Sequence, residues 1–572
     1  MRNATIRLLL TAALISASPG FAEPQVIGLG DESAAVPSTP EEWVTACGAL
    51  AGSTYDAGRQ GMGVLDDKDL FLGAAQSTCE EAVRQSPDSA EAATWLGRVY
   101  RLIGRAGEAV PLLQQGADAG SPFAMMLLSE LLIDPYRYDV DSSSDYEGGI
   151  AMREQAAATG FAPAQVMLAH AYEYSEQIEE NRGEAFRLYA LAADQKHPYA
   201  LFKLGVDAHS GITREQNFAE AMNWYQAAAD RNSADGMNGI AQLYEFGQGT
   251  AQDYARAAEY HRKAADRGNA ASQAELGYFY ERGLGVETDP VQAVGWYEKA
   301  AGQGNAYAQG SLALQYLFGP GVPVDVDKGL ALAQSSAMLG SSFGASILGI
   351  LYAEGMGTDR DLNTALYYYR DAADNGDTYS QGRIPVIEAE LACAQQAGSP
   401  WETGLSQDGR ELEAIDAETA IAACENALTQ NPESIGDKAW LARAYLAAGD
   451  ESRSAPLMQQ AASAGNVLAV SMAADLAFER STDPTILANA FAALDVPANE
   501  KDFMPALYSL ARAYEFGLGT EPDMSKAIAL YRRAAEFAYP SAASRLAELG
   551  SNEGEAIATA ANGFGRELAA PF

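Results

Sequence analysis

Residues 269–304 read NAASQAELGYFYERGLGVETDPVQAVGWYEKAAGQG, and this stretch decides the fold. Small and apolar residues recur at helical spacing as far as Gly283-Leu284-Gly285, where glycine tolerates the left-handed conformation that ends helices. Asp289-Pro290 marks a new start, because aspartate caps helices and proline is tolerated at their first position. A second apolar segment then runs to Gly304. The stretch therefore predicts two antiparallel helices joined by a glycine-containing turn.

The same pattern recurs every 36 residues along the middle of the chain. One column holds the second residue of each Ala-Ala helix end, with Ser-Ala at 336–337, namely Ala157, Ala193, Ala229, Ala265, Ala301, Ala337 and Ala373. A second column holds the turn glycine, namely Gly211, Gly247, Gly283, Gly319 and Gly355. A fixed period of this size is typical of stacked helical units, in which neighbours bury the apolar face that one unit cannot bury alone.

These columns closely resemble the Sel-one-like (Sel1-like) repeat, a relative of the tetratricopeptide repeat. The resemblance rests on Ala274-x-Leu276-Gly277-x-x-Tyr280-x-x-Gly283-x-Gly285 and on Trp296-Tyr297 in the second helix. It covers residues 121–388 strongly and 466–550 in part, with 467–503 as a degenerate copy. The resemblance implies an all-α, right-handed solenoid of stacked antiparallel helix pairs that binds other proteins, often as a scaffold or regulator in bacterial envelopes.

Two further modules flank this array, and each carries two cysteines. The 42 residues from Cys79 match the 42 residues from Cys424 at about 18 positions, with a constant offset of 345. With one residue of slip, Cys47 corresponds to Cys393. We therefore predict the disulfides Cys47–Cys79 and Cys393–Cys424, each worth about 3–4 kcal/mol if it acts by restricting the unfolded chain. Two cysteines per module without a nearby histidine are too few for a metal site, and no Cys-x-x-Cys redox motif is present.

The amino terminus has the pattern of an export signal. Arg2 and Arg7 precede the apolar stretch 8–17, and small residues follow it up to Ala22. This pattern predicts cleavage between Ala22 and Glu23 and a periplasmic or secreted mature protein. A membrane anchor is the alternative, but about ten apolar residues are too few to span a bilayer.

Composition limits the partners that the chain can bind. The 572 residues are 48% apolar, with 38 basic against 77 acidic side chains and a formal net charge of -39. A surface this acidic repels phosphate backbones and anionic membranes, so we expect neither nucleic-acid binding nor stable membrane insertion. The expected partners are envelope or secreted proteins.

The repeats and modules divide the chain into seven predicted segments. They are a signal peptide (1–22), an acidic linker (23–38), a Cys-containing tetratricopeptide-like module (39–120), the Sel-one-like array (121–388), a second Cys-containing module (389–465), a degenerate and one clear Sel-one-like repeat (466–550), and a C-terminal tail (551–572).

No motif in the sequence predicts catalysis. The stretch Gly340-Ser341-Ser342-Phe343-Gly344 fits the nucleophile elbow of hydrolases, but Gly340 belongs to the helix-end glycines and no strand precedes it. A calcium-loop beginning at Asp139 lacks the required glycine and the bidentate glutamate, which is replaced by Ile150. No two histidines share a helix face at metal-binding spacing. We therefore expect a protein without enzymatic activity, cofactor or metal.

The first helices are the predicted binding face, because first helices line the concave side of related solenoids. One of their columns varies freely in size and polarity: His170, Val206, Gln242, Tyr278, Leu314 and Ile350. These side chains either contact a partner or pack between repeats. The acidic side chains Glu173, Glu245 and Glu281 either steer a basic partner or form a solvated face.

The leading hypothesis is a protein-binding envelope scaffold or regulator that uses this groove. The alternative is recognition of a small ligand or cell-wall glycan in the same groove, with Tyr278 and Phe279 stacking on it.

Overall fold

The computed structural model of the chain describes residues 37–53, 70–134, 145–174, 181–402 and 410–550. The predicted signal peptide with its cleavage point at Ala22, nearly all of the linker, the Asp139 loop and the 551–572 tail lie outside the described residues. The chain forms two compact units, Met1–Asp289 and Pro290–Phe572. The boundary between them falls inside the repeat quoted above.

The described part of the first unit consists of helices joined by short turns. They are α1 (Pro40–Ala51), α2 (Leu72–Gln85), α3 (Ala90–Leu102), α4 (Ala106–Asp118), α5 (Pro122–Ile133), α6 (Tyr146–Ala158), α7 (Ala162–Tyr174), α8 (Arg182–Asp194), α9 (Pro198–Ser210), α10 (Phe218–Ala229), α11 (Ala234–Phe246), α12 (Tyr254–Ala265) and α13 (Ala270–Arg282). Consecutive helices pack against each other in pairs, so this unit is a stack of helical hairpins.

The second unit has the same architecture. Its helices are α14 (Pro290–Gly302), α15 (Ala306–Phe318), α16 (Val326–Met338), α17 (Ser342–Glu354), α18 (Leu362–Asp374), α19 (Thr378–Ala397), α20 (Ala417–Gln430), α21 (Ile435–Ala447), α22 (Glu451–Ser463), α23 (Val467–Arg480), α24 (Pro484–Ala493), α25 (Met504–Phe516), α26 (Met524–Glu536) and α27 (Pro540–Glu548). A 3-10 turn (Leu412–Ala414) precedes α20 and a π turn (Val496–Glu500) follows α24. No strand occurs in the described ranges of either unit, which confirms the predicted all-α solenoid class.

Local sequence sets where the helices begin and end. The Asn269 side chain accepts a hydrogen bond from the backbone N–H of Ser272 at 2.7 Å and so caps α13, and Gly283 ends this helix in the left-handed region with φ 70°. Gly319 is an exception to the glycine column, because it ends α15 in an extended conformation with ψ 155°. Pro320 follows it, and a residue before proline is pushed toward extended geometry.

Glycines within the first helices have a packing role. The buried Tyr225 ring of α10 lies between Gly205 of α9 and Gly239 of α11, and a Cβ added at Gly239 would come within 2.8 Å of that ring. In the second unit, a Cβ at Gly349 would meet the Tyr369 ring at 2.7 Å. These glycines let an aromatic side chain of a second helix fill the space between neighbouring first helices.

None of the helices in the described residues combines the length and the apolar character that a membrane span requires.

Candidate functional site

Each cysteine-containing module begins with a helix pair held by a disulfide. Cys47 of α1 is bonded to Cys79 of α2, and Cys393 of α19 is bonded to Cys424 of α20. All four side chains are completely buried. These are the two pairings predicted from the duplication.

A buried arginine closes the end of the first helix in both modules. The Arg98 guanidinium donates to the carbonyl oxygens of Ala51 (3.1 Å), the last residue of α1, and Gly52 (3.2 Å), which follows it. Arg443 donates in the same way to the carbonyl oxygens of Ala397 (3.0 Å) and Gly398 (2.6 Å). Carbonyls at a helix end lack intrahelical donors, so the arginine satisfies groups that burial would otherwise leave unpaired.

The modules also share a tyrosine that is covered by an arginine. In the first module, the Tyr100 hydroxyl donates to Glu80 at 3.1 Å and the Arg105 guanidinium lies 4.0 Å from the Tyr100 ring centre. Arg105 also pairs with Glu108, which lies three residues later in the first turn of α4.

In the second module this ion pair is reversed. The Tyr445 hydroxyl donates to Glu425 at 2.7 Å, and the cation 4.3 Å from its ring is Arg453, which stands at the position of Glu108. Asp450, at the position of Arg105, is its acidic partner. The tyrosine, its glutamate acceptor and the stacked arginine are thus retained, although the arginine comes from a different position.

A crevice lies beside each of these tyrosines. The first has a volume of about 580 Å³ and is lined by Glu80, Val83, Arg84, Leu96, Tyr100, Gly107, Glu108, Pro111 and Leu112. The second has a volume of about 470 Å³ and is lined by Glu425, Leu428, Thr429, Leu441, Tyr445, Ser452, Arg453, Pro456 and Leu457. Every lining position of one crevice corresponds to a lining position of the other at the offset of 345. The duplication has therefore kept a surface feature as well as the core.

Glu173 and Glu245, which follow the tyrosine column, have buried side chains, and this corrects both expectations for these two residues, whereas Glu281 is half-buried. Glu173 accepts hydrogen bonds from the Tyr189 hydroxyl of α8 (3.0 Å) and from the Lys203 ammonium of α9 (2.7 Å). The side chains of Glu173 and Lys203 are 7% and 5% exposed, so this carboxylate neither forms a solvated face nor reaches a partner. In the second unit, Glu515 makes the same contacts with Tyr531 and Arg545, sixteen and thirty residues later.

Two copies after Glu173, the pattern of charges changes. Glu245 lies 3.3 Å from His261 Nε2, but the position thirty residues later holds Glu275 in place of a cation. Burial and the nearby Glu245 carboxylate raise the pKa of Glu275 to about 7. Glu245 and Glu275 therefore lie close together at a site where the copies with Glu173 and Glu515 contain an ion pair.

The predicted groove residues lie on first helices, and the structure distributes them over both units. His170, Gln242 and Tyr278 belong to the first unit, whereas Leu314 and Ile350 belong to the second. His170 is exposed and the others are half-buried. Tyr278, Leu314 and Ile350 each pack partly against a hydrophobic core cluster while keeping some exposed surface. The groove therefore remains a prediction, with packing and partner contact both consistent with this placement.

Phe279 does not belong to the groove, which corrects the prediction that it stacks on a ligand. Its side chain is 0% exposed and its ring makes edge contacts with Tyr254 and His261 of α12. The register of α13 points Phe279 into the stack and leaves Tyr278 at the surface, with the Arg282 guanidinium 5.9 Å from its ring.

The serine of the hydrolase-like motif is a helix cap. Gly340 has φ 78° in the turn before α17, and the Ser341 hydroxyl accepts a hydrogen bond from the Gly344 backbone N–H at 3.3 Å. Ser341 therefore has a structural role. No group of three or more potential metal ligands exists in the parts of the chain that the structure describes.

The second unit contains a cluster of buried charges that sequence reasoning missed. Asp437 of α21 is 0% exposed, and neither of its carboxyl oxygens has a hydrogen-bond partner among the described residues. Burial and the Glu390 carboxylate raise its pKa to about 7. Glu390 itself pairs with Arg360. The first module has Ala92 at the equivalent position, so the carboxyl group is specific to the second copy.

The repeats match the model of a known family. The family model "Sel1 repeat" matches seven segments, 162–197, 198–233, 234–269, 270–305, 306–341, 343–377 and 505–536. No curated protein matches the chain significantly.

Solved structures with similarity include a protective antigen of uropathogenic Escherichia coli strains displaying an SLR fold. It is 25% identical, with coverage of 79% of this chain and 93% of that chain and a TM-score of 0.44. A Sel1 repeat protein from Oxalobacter formigenes is 28% identical over 40% of this chain and 94% of its own, with a TM-score of 0.38.

The seven matched segments coincide with helix pairs that have the 36-residue period, from α7 and α8 onward and again at α25 and α26. Proteins of this repeat generally mediate protein–protein interaction, as non-catalytic scaffolds. The chain therefore contains seven Sel1 repeats.

Proposed function

We propose that this protein is an exported, non-enzymatic scaffold or regulator that binds envelope or secreted proteins through the first helices of its repeats. The column from His170 to Ile350 carries this proposal, because its side chains differ between copies while keeping exposed surface on each first helix. Framework positions such as Leu276 are buried, whereas the variable column keeps part of its surface exposed, so its variation adjusts that surface.

Two observations support export. Disulfides persist in oxidising compartments, and the chain pairs all of its four cysteines. The basic and apolar pattern before Ala22 fits a cleaved signal. In this proposal the mature periplasmic or secreted protein begins at Glu23, and intact-mass measurement of the protein purified from its native cells tests that start. The cysteine modules would cap the repeat blocks that follow them.

Photocrosslinking in the native cell tests the binding face. A photoreactive amino acid replaces Tyr278 on α13, and the matched control replaces Glu298, which is exposed on the second helix of the same repeat. We expect a discrete protein adduct from position 278 and none from position 298. Equal adducts from both positions, or none from either, would contradict the proposed face.

Glycan or small-ligand recognition in the same groove is the alternative function. Burial of Phe279 removes one of the two rings predicted to stack on a ligand, which weakens a stacking platform around Tyr278. A thermal-shift screen with glycan fragments distinguishes the two functions. Saturable stabilisation by a fragment favours the alternative, because a ligand that binds only the folded state raises its stability.

A further inference from the structure

The crevices of the two cysteine modules have an apolar floor. In the first crevice the floor is Leu96, which is 3% exposed, with the half-buried Val83 and Leu112 beside it. The equivalent residues of the second crevice are Leu441, Leu428 and Leu457. Such a floor can cover the methylene stem of a long side chain, but it offers no hydrogen bond.

A glutamate with one open carboxylate oxygen borders each floor. Glu80 accepts hydrogen bonds at Oε1, from Gln76 (2.9 Å), Tyr100 (3.1 Å) and Arg105 (3.3 Å). Glu425 likewise accepts at Oε1, from the Tyr445 hydroxyl at 2.7 Å. Within the described part of the chain, Oε2 of neither glutamate receives a hydrogen bond, and both side chains are accessible to solvent. The tyrosine therefore holds the carboxylate by one oxygen and leaves the other for a donor from outside.

A helix carbonyl supplies a second acceptor in each crevice. Pro111 and Pro456 lie inside α4 and α22 and have no N–H. The carbonyl oxygens four residues earlier, those of Gly107 and Ser452, therefore lack their usual helical donor. Gly107 lines the first crevice without a side chain, so its part of the wall is main chain. A helical carbonyl points toward the residue four positions later, which here is the proline of the same wall.

The charges around the two crevices leave this glutamate unbalanced. The ion pair that is reversed between the modules contributes one cation and one anion to each. Arg84 and Glu81 form a further pair at the first crevice, where the second module has the neutral Thr429 and Asn426. Among the lining residues and their ion-pair partners, the glutamate is therefore the charge left over in both modules, Glu80 in one and Glu425 in the other.

We propose that each crevice binds a lysine side chain of a partner protein. The lysine stem lies on the leucine floor, and its ammonium donates to the glutamate Oε2 and to the helix carbonyl, since an ammonium is a compact charge with three donors and no acceptor. An anionic group would face two acceptors and a net negative charge, and an uncharged apolar side chain would satisfy neither acceptor. The crevices lie outside the first-helix column, so this site is additional to the binding face proposed above.

Methyl NMR of the leucine-labelled protein, titrated with Nα-acetyl-lysine amide, tests the proposal. The methyl signals of Leu112 and Leu457, assigned by Leu→Ile substitution, should shift saturably, whereas those of the exposed Leu191 and Leu339 should not. Two probes separate the contributions of stem and charge. Nα-acetyl-norleucine amide has a similar stem without the ammonium, and the amide of Nα-acetyl-diaminopropionic acid has the ammonium on a short stem. Each should bind at least about tenfold more weakly than the lysine probe.

Single substitutions then assign the response to each glutamate. Glu80→Gln should abolish the shift at Leu112 and keep that at Leu457, and Glu425→Gln should do the reverse, so the unaffected module shows that each variant is folded. Glu433→Gln is the matched control, because it removes the same charge from a side chain that is 93% exposed outside the crevice, and both responses should remain. Equal binding of the short-stem probe, or equal shifts at the exposed leucines, would overturn the proposal in favour of general attraction to an acidic chain. An absence of saturable shifts at either crevice, or responses that survive both glutamate substitutions, would overturn it as well.

Discussion

Replacement of Asp437 by asparagine is expected to stabilise the second unit, by an amount that grows with pH. The Asp437 carboxyl group is fully buried, lacks a hydrogen-bond partner among the described residues and lies near Glu390. Ionisation of the folded chain therefore places an unpaired charge in a poorly solvated site, next to a like charge. Asparagine has almost the same shape and cannot ionise.

The magnitude follows from the difference in pKa between the folded and unfolded chain. The pKa is about 7 in the folded chain against a usual 3.8, which corresponds to about 4 kcal/mol at high pH. The unfolded chain releases its proton at about pH 4, whereas the folded chain keeps it to about pH 7. Stability from this group is therefore present at low pH and is lost as the pH rises between those values. Between about pH 5.5 and about pH 8.5, the remaining loss is about 2 kcal/mol.

Urea unfolding of the wild type and Asp437→Asn at these two pH values measures the effect. The free energy of unfolding of the variant should exceed that of the wild type by about 2 kcal/mol more at the higher pH. Glu433→Gln is the control, because this neighbouring carboxylate is 93% exposed. A difference between wild type and Asp437→Asn that does not change with pH would refute the reasoning, whatever its absolute size.

Three further substitutions test the contacts that hold the first unit. Arg98→Met leaves two buried carbonyls without their charged donor and should lower the free energy of unfolding in urea by about 3 kcal/mol. Lys203→Met leaves Glu173 buried without its cation, so thermal unfolding should show a loss of about 3–5 kcal/mol that an added Glu173→Gln partly restores. Combined Cys47→Ser and Cys79→Ser should cost about 3 kcal/mol, measured against the wild type under oxidising conditions.

Periodicity and duplication made most of the fold predictable from the sequence. The alanine and glycine columns locate the helix pairs, and the alignment of Cys79 with Cys424 selects one of three possible disulfide pairings. Gly319 has an extended conformation, unlike the left-handed glycines of its column, because Pro320 follows it. A column of identical glycines does not show this effect of the next residue.

The buried charges could not be predicted from single columns, since each carboxylate depends on residues in two other helices. Glu173 is satisfied by side chains sixteen and thirty residues later, and Glu245 lacks the second of these. Comparing the Glu173 column with the columns sixteen and thirty residues later would have predicted which of these carboxylates have a cation as partner. Asp437 corresponds to Ala92 of the first module. This difference is visible in the sequence, but it does not predict that the Asp437 side chain is buried.

The reversed ion pairs of the two cysteine modules have a consequence for exchange between the copies. Arg105 faces Glu108 in one module and Asp450 faces Arg453 in the other. A crossover between the two coding segments inside this turn joins Arg105 to Arg453 or Asp450 to Glu108, which sets like charges side by side. Both recombinants lose the attraction that holds the turn, and the first also crowds a second cation beside the tyrosine ring. The two turns can therefore be exchanged only as whole pairs, at a cost of at most about 1 kcal/mol when a partly exposed pair of this kind is split.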